Sequence, residues 1–138
     1  WPATAPALVL ALHACGPAAD QIIDRAVAAR ARWLFLVPCC HGAAVPFAAA
    51  AEAHVAALGV PPLAELRRPL IASLIDAERA LRLSAAGYEV SALPFVPKTV
   101  TPQNLLLRAR RGGGEARVAA AQAALARLRQ GRYDGPGS

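Results

Sequence analysis

The sequence predicts an α/β fold built on parallel strands and closed by a final antiparallel strand, and three observations carry that prediction. Residues 7–12 (Ala-Leu-Val-Leu-Ala-Leu) and 33–37 (Trp-Leu-Phe-Leu-Val) are short, continuous apolar runs, too brief for stable helices and typical of strands buried on both faces. A helical pattern fills the space between them, and strand, helix, strand with such short links implies a right-handed parallel crossover, the unit of doubly wound sheets. Residues 88–96 and 104–109 also read as strands. The link between these two is too short for a crossover helix, which predicts an antiparallel pair.

Each element has its own signal. Pro17 sets up a helix start, Asp20 stands near its positive end, and Ile22, Ile23, Ala26 and Val27 share one face up to about Arg30. The second strand is stopped by Pro38. Residues 44–58 are alanine-rich and read as a helix closed by Gly59, with Pro61-Pro62 marking a loop. Residues 70–86 predict a longer helix whose stripe is Leu70, Leu74, Ala77, Leu81 and Ala85, ended by Gly87. Asp76 and Arg79 within it read as a surface pair at i, i+3. Gly112-Gly113-Gly114 predicts a flexible break that divides residues 1–111 from 112–138. Beyond it, a basic helix over 115–130 carries Val118, Leu125 and Leu128, too sparse for a strong core face, and 133–138 reads as a frayed tail.

A chain of 138 residues that is 56% hydrophobic suits one small domain with a packed core. It starts at Trp1 and contains no Met, so it reads as a piece of a longer chain. It has no apolar run of the roughly 18 residues that span a bilayer and no signal-like start, so the expectation is a soluble, cytoplasmic protein without a membrane partner. Three cysteines, two of them adjacent, do not make a disulfide framework, and reduced thiols are expected. The net charge of +6 is almost wholly arginine, Lys98 being the sole lysine. That excess suits a polyanion such as RNA. A GC-rich genome, which favours Arg and Ala, explains the same bias without a ligand, and no aromatic residues interleave the charges as a stacking surface would need.

Polar residues gather where the strands end. The first strand runs into His13-Ala14-Cys15-Gly16, the second into Pro38-Cys39-Cys40-His41, and the link before the last strand is Thr101-Pro102-Gln103-Asn104. All three fall on the rim where parallel sheets hold ligands. His13 suits a proton acceptor because imidazole titrates near neutrality, although from the residues alone a structural histidine hydrogen-bonded to backbone at a strand end is the simpler account. Cys15 either contacts a substrate or is a small buried apolar residue. Asp20 either holds the rim loop or simply favours the first turn of its helix, the latter being the simpler account. Thiols and imidazoles in these numbers raise the idea of zinc. Adjacent cysteines on an extended backbone point to opposite faces, however, and no C-x-x-C spacing is present, so Cys39, Cys40 and His41 are expected to wall a substrate pocket with no metal. Asn104 either hydrogen-bonds a substrate or caps its loop.

Taken together, these motifs resemble those of a family of class I S-adenosylmethionine-dependent methyltransferases. That family includes the methyltransferase-like domain of the glutathione S-transferase C-terminal-domain-containing protein, bacterial relatives and, more distantly, an enzyme that methylates a tRNA ribose. Leu12-His13-Ala14-Cys15-Gly16 with Asp20 is similar to its H-x-C-G-x-x-T-D signature, Pro38-Cys39-Cys40-His41 to its P-C-C-[HY], and Thr101-Pro102-Gln103-Asn104 to its [TS]-P-K-N. Ala19 stands where the family has Thr, and Gln103 where it has Lys. The resemblance runs from about Leu8 to Arg111. It implies that residues 1–111 are the C-terminal half of a Rossmann-like sheet, holding its fourth to seventh strands. It also implies catalytic roles for His13 and Cys15 beside the transferred methyl and substrate-binding roles for Cys39, Cys40, His41 and Asn104. S-adenosylmethionine would be held mainly by the missing N-terminal half, whose glycine-rich loop and acidic residue are not found here, so the chain alone is expected to be inactive. RNA is the acceptor that the charge and the tRNA-modifying relative suggest. The competing expectations are a non-catalytic basic binding module on the same fold and a Cys/His metal-binding or thiol-redox protein.

Overall fold

The computed structural model describes residues 4–97, 99 and 104–131. The elements run β1 (Leu8–Ala14), α1 (Ala18–Ala28), β2 (Trp33–Pro38), α2 (Ala48–Ala57), α3 (Ala64–Ala85), β3 (Tyr88–Pro94), β4 (Leu105–Arg111) and α4 (Glu115–Gln130). The four strands make one mixed sheet in the order β1-β2-β4-β3. β1 and β2 are parallel, and β4 lies antiparallel to both β2 and β3. The apolar runs, the crossover and the antiparallel final strand thus appear where the sequence puts them. The expected tail, 133–138, and Thr101, Pro102 and Gln103 lie outside the described residues.

Register assigns each strand residue to a face. Leu8, Trp33, Arg110 and Glu89 form one row across the sheet, and Leu10, Phe35, Arg108 and Ser91 the next. The alternate rows, with Val9, Ala11, Leu34, Leu36, Leu107 and Ala109, point into a core shared with Ile23 and Ala26 of α1 and Leu83 of α3. Tyr88 closes this core, its hydroxyl donating to the carbonyl of Ala31 at 2.8 Å. A second cluster joins Val45, Phe47, Ala48 and Ala51 to Ile75 of α3 and Leu128 of α4. On the other face of the sheet Leu8, Leu10 and Leu12 remain 53%, 63% and 52% exposed.

Three expectations about the helices change. Helix α2 begins at Ala48 rather than 44, because the preceding residues make turns (Val45 N–H to Gly42 carbonyl, Ala48 N–H to Val45 carbonyl) that bury Val45 and Phe47. Helix α3 begins at Ala64 rather than 70 and takes Pro69 inside it. A proline there forfeits one hydrogen bond, while the Arg67 guanidinium anchors the first turns on the carbonyls of Val60 and Pro61 at 2.6 and 3.0 Å. The buried face of α3 also differs: Ile75, Glu78, Arg79 and Leu83 are buried, whereas Leu70 is 43% exposed and Ala77 is exposed. Two charged residues interrupt the true stripe, which hides it from a hydrophobicity pattern.

The glycine run is a tight junction rather than a loose one. The N–H groups of Gly112 and Gly113 both donate to the Gly87 carbonyl, at 3.0 and 2.9 Å. A Cβ on Gly113 would stand 3.3 Å from that same carbonyl. Helix α4 then packs along α3 despite its sparse stripe, burying Ala121. His54 Nε2 donates to the Leu128 carbonyl at 2.6 Å, and Arg129 pairs with Glu78. No helix among the described residues is long and apolar enough to cross a membrane.

Candidate active site

The rim is built where β1 and β2 end side by side. Pairing between these strands skips between Ala11 and Ala14, and His13 takes a left-handed backbone with φ of 54°. His13 therefore lies inside β1 at an irregularity, exposed to solvent. Gly16, with φ of 53°, makes the turn into α1, where the Ala18 N–H bonds the Cys15 carbonyl at 3.1 Å.

The cysteines come together more closely than their sequence suggests. Cys15 and Cys39 form a disulfide, with 5.3 Å between their Cα atoms. This corrects the expectation of reduced thiols: ends of adjacent parallel strands bring the two Cα atoms within bridging range. Cys40 is an exposed free thiol whose Sγ lies 3.6 Å from that of Cys39. The geometric ground for excluding a metal is thereby removed. β2 ends at Pro38, so side-chain alternation no longer governs Cys39 and Cys40, and the three sulfurs all lie within 4.8 Å of one another.

Behind the sulfurs, α3 supplies a charged network. Arg79, fully buried, donates to Asp20 Oδ2 at 2.8 Å, to Asp76 Oδ1 at 3.2 Å and to the Gly16 carbonyl at 3.3 Å. The second oxygen of Asp76 accepts from His41 Nε2 at 2.9 Å. One guanidinium thus ties together the loop after β1, the first turn of α1 and, through Asp76, the histidine that follows β2. Arg82 adds a 2.8 Å bond to the other oxygen of Asp20 and pairs with Asp24. Burial by itself would lower the Arg82 guanidinium, but Glu78, Asp24 and Asp20 around it outweigh that and raise it above its ordinary value. The reading of Asp76 and Arg79 as a surface pair is corrected accordingly. Asp20 is likewise more than a favourable charge in a first turn: it is 5% exposed and receives both arginines.

The remaining residues named from the sequence fall as follows. His41 reaches the network through Nε2, and its Nδ1 is buried without a hydrogen-bond partner. Asn104 spends its side-chain amide on the Val96 carbonyl at 2.7 Å, and its own carbonyl accepts from the Phe95 N–H, which fixes the approach of β3 to β4. Its contacts are those of a loop brace. The structure thus brings Cys15, Cys39 and Cys40 together and links His41 to Asp20, whereas Asn104 leads into β4 at the same end of the sheet but spends its amide on its own connection. A cleft lined by Asp24, Phe47, Glu78, Arg82 and Arg129 also opens between the helices. Its charges are spent on one another.

Residues 2–44 match the family described as a methyltransferase domain. This part of the chain resembles a methyltransferase domain. The match takes in β1, α1, β2 and the rim motifs through His41. The chain is also 26% identical to the glutathione S-transferase C-terminal domain-containing proteins of Homo sapiens and Mus musculus, over 71% of its own length and 19% of theirs. To the Drosophila melanogaster homolog it is 27% identical, over 70% of this chain and 20% of that one. It spans about a fifth of the length of these curated relatives. No solved structure matches.

Proposed function

We propose that this chain is the C-terminal half of a Rossmann-like, S-adenosylmethionine-dependent methyltransferase domain, with the rim of His13, Cys15, Cys39, Cys40 and His41 facing the methyl acceptor. The observation that carries this reading is the match to a methyltransferase domain over residues 2–44, which contains all of those residues. The sheet lends support: β1 is a parallel strand at an edge with exposed leucines, as expected of a strand that continues into further sheet.

The residues described here do not fit the cofactor itself. β1 leads into a cysteine-bearing loop and β2 into Pro38-Cys39-Cys40, so neither a glycine-rich phosphate-style loop nor a ribose-binding carboxylate follows a parallel strand. The glycines at 112–114 follow antiparallel β4 and are tied to Gly87. What the chain supplies is the acceptor side. His13, exposed at the end of β1, takes or orients the proton of an attacking oxygen or nitrogen, while the buried Arg79 network holds the surrounding loops in place. RNA is the proposed acceptor, on the strength of the net charge of +6, and the cytoplasm the proposed location.

Calorimetry with S-adenosylmethionine tests the reading. The 138-residue chain should give no measurable heat, and a longer chain that carries the preceding strands should bind. In that longer chain His13→Ala should leave cofactor affinity nearly unchanged and slow methyl transfer by about 10²-fold or more. A longer chain that fails to bind the cofactor would favour a non-catalytic basic module instead, and tight binding by the present chain would place the cofactor site in this half.

A further inference from the structure

We propose that Cys15, Cys39 and Cys40, when reduced, form a three-thiolate site for a zinc ion, and that the Cys15–Cys39 disulfide is the oxidised, metal-free form of that site. Thiolates bind Zn²⁺ at about 2.3 Å, so two sulfurs on a tetrahedral ion stand about 3.8 Å apart. The Cys39 and Cys40 sulfurs are already 3.6 Å apart, and all three sulfurs lie within 4.8 Å of one another. Only the Cys15–Cys39 pair has to separate, by opening its bond. The two Cα atoms are 5.3 Å apart at the ends of adjacent strands, which keeps both side chains within reach of one ion.

Exposure supports the same assignment. Cys15 and Cys40 are exposed and Cys39 is half-buried, so the ion has an entry path and its fourth position faces solvent. Three protein ligands with one open position is the arrangement of reactive zinc sites, whereas structural sites are closed by a fourth ligand. A soft ligand set of sulfur alone selects zinc or copper(I) over magnesium and calcium. His41 Nε2 is engaged with Asp76, and the three sulfurs form the group without a histidine.

The chemistry balances as follows. A dithiol reductant delivers two electrons and two protons to the Cys15–Cys39 bond and is itself oxidised to a disulfide. Zn²⁺ then displaces the protons of the three thiols, so binding strengthens as pH rises. None of this depends on the methyltransferase reading, and the test uses no S-adenosylmethionine.

The chain is reduced with a phosphine, freed of reductant, and titrated with Co²⁺ as a spectroscopic stand-in for zinc. One equivalent should bind with an intense sulfur-to-cobalt band in the near ultraviolet, and Zn²⁺ should displace it. Chain oxidised beforehand with diamide should bind none. Cys40→Ser changes an exposed thiol outside the disulfide, so it should leave the far-ultraviolet circular dichroism and disulfide formation unaltered while weakening metal binding at least about tenfold. The proposal is overturned if the reduced chain takes up less than one equivalent at micromolar metal, if the oxidised chain binds equally, or if Cys40→Ser binds as tightly as the parent.

Discussion

The two faces of the sheet are built from the same strands and meet opposite fates. Under α1 and α3, the row residues Val9, Ala11, Leu34, Leu36, Leu107 and Ala109 are packed into one core. On the far face, Leu8, Leu10 and Leu12 stand exposed beside Trp33 and Phe35, and only towards β3 does the surface become polar, with Arg110 paired to Glu89 and poised over the Trp33 ring. β4 and β3 therefore alternate, as strands with one solvated face do, while β1 and β2 are apolar on both sides, as strands buried on both faces are. The contrast is graded across the sheet and is sharpest at the β1 edge, where the proposed other half of the domain would pair.

Substitutions can break or sharpen this contrast. The largest effect is expected beneath the covered face: Arg79→Ala leaves Asp20 and Asp76 without their buried partner and should cost about 3–5 kcal/mol in urea denaturation. Arg79→Lys should recover little, because an ammonium cannot span the three acceptors that the guanidinium reaches. Next, Leu34→Ala in the core should cost about 2–5 kcal/mol. Equal losses for Leu34→Ala and Leu10→Ala would remove the distinction between the faces.

Tyr88→Phe should be milder, about 1 kcal/mol, for the bond to the Ala31 carbonyl. Its pH dependence is more telling. Burial, against a smaller opposing effect of Arg111, pushes the Tyr88 hydroxyl above its ordinary value of 10.0. The folded state then holds the proton more tightly than the unfolded chain, so this contribution is fully present below about pH 10 and is lost as pH rises through the folded value. Denaturation midpoints measured at pH 8 and pH 11 should fall less in Tyr88→Phe than in the parent. Smallest of all, Leu10→Ala on the bare face should change stability by no more than about 0.5 kcal/mol.

Much of the architecture was legible because it rests on short-range signals. Apolar runs of strand length, Pro17 and Pro38 at their boundaries, and a link too short for a helix fix the strands and their directions. The convergence of polar residues at the strand ends follows from that topology. What the pattern concealed are contacts between distant parts of the chain. Glu78 and Arg79 break the apolar stripe of α3 because their partners are Arg129 and Asp20, the latter 59 residues away. Helix α4 shows too sparse a stripe to mark a core face because it docks through Ala121, Leu128 and hydrogen bonds. The approach of the Cys39 and Cys40 sulfurs is hidden because strand alternation does not extend to the two residues past the end of β2.

The skipped register near the end of β1 has a consequence for how such a chain can vary. Up to Ala11 each side chain is bound by the two-residue rhythm to one face, so packing dictates its identity. At His13 the left-handed backbone resets that rhythm, at a conformational cost of about 1–2 kcal/mol. Beyond the reset the phase moves on by one residue, so that Ala14 rather than His13 enters the core, and exposed Cys15 can be exchanged without asking any leucine to turn over. The strand thus serves two masters in sequence, a packing constraint and then a chemical one, and natural variation should be able to retune the reactive end while the framework beneath it stays as it is.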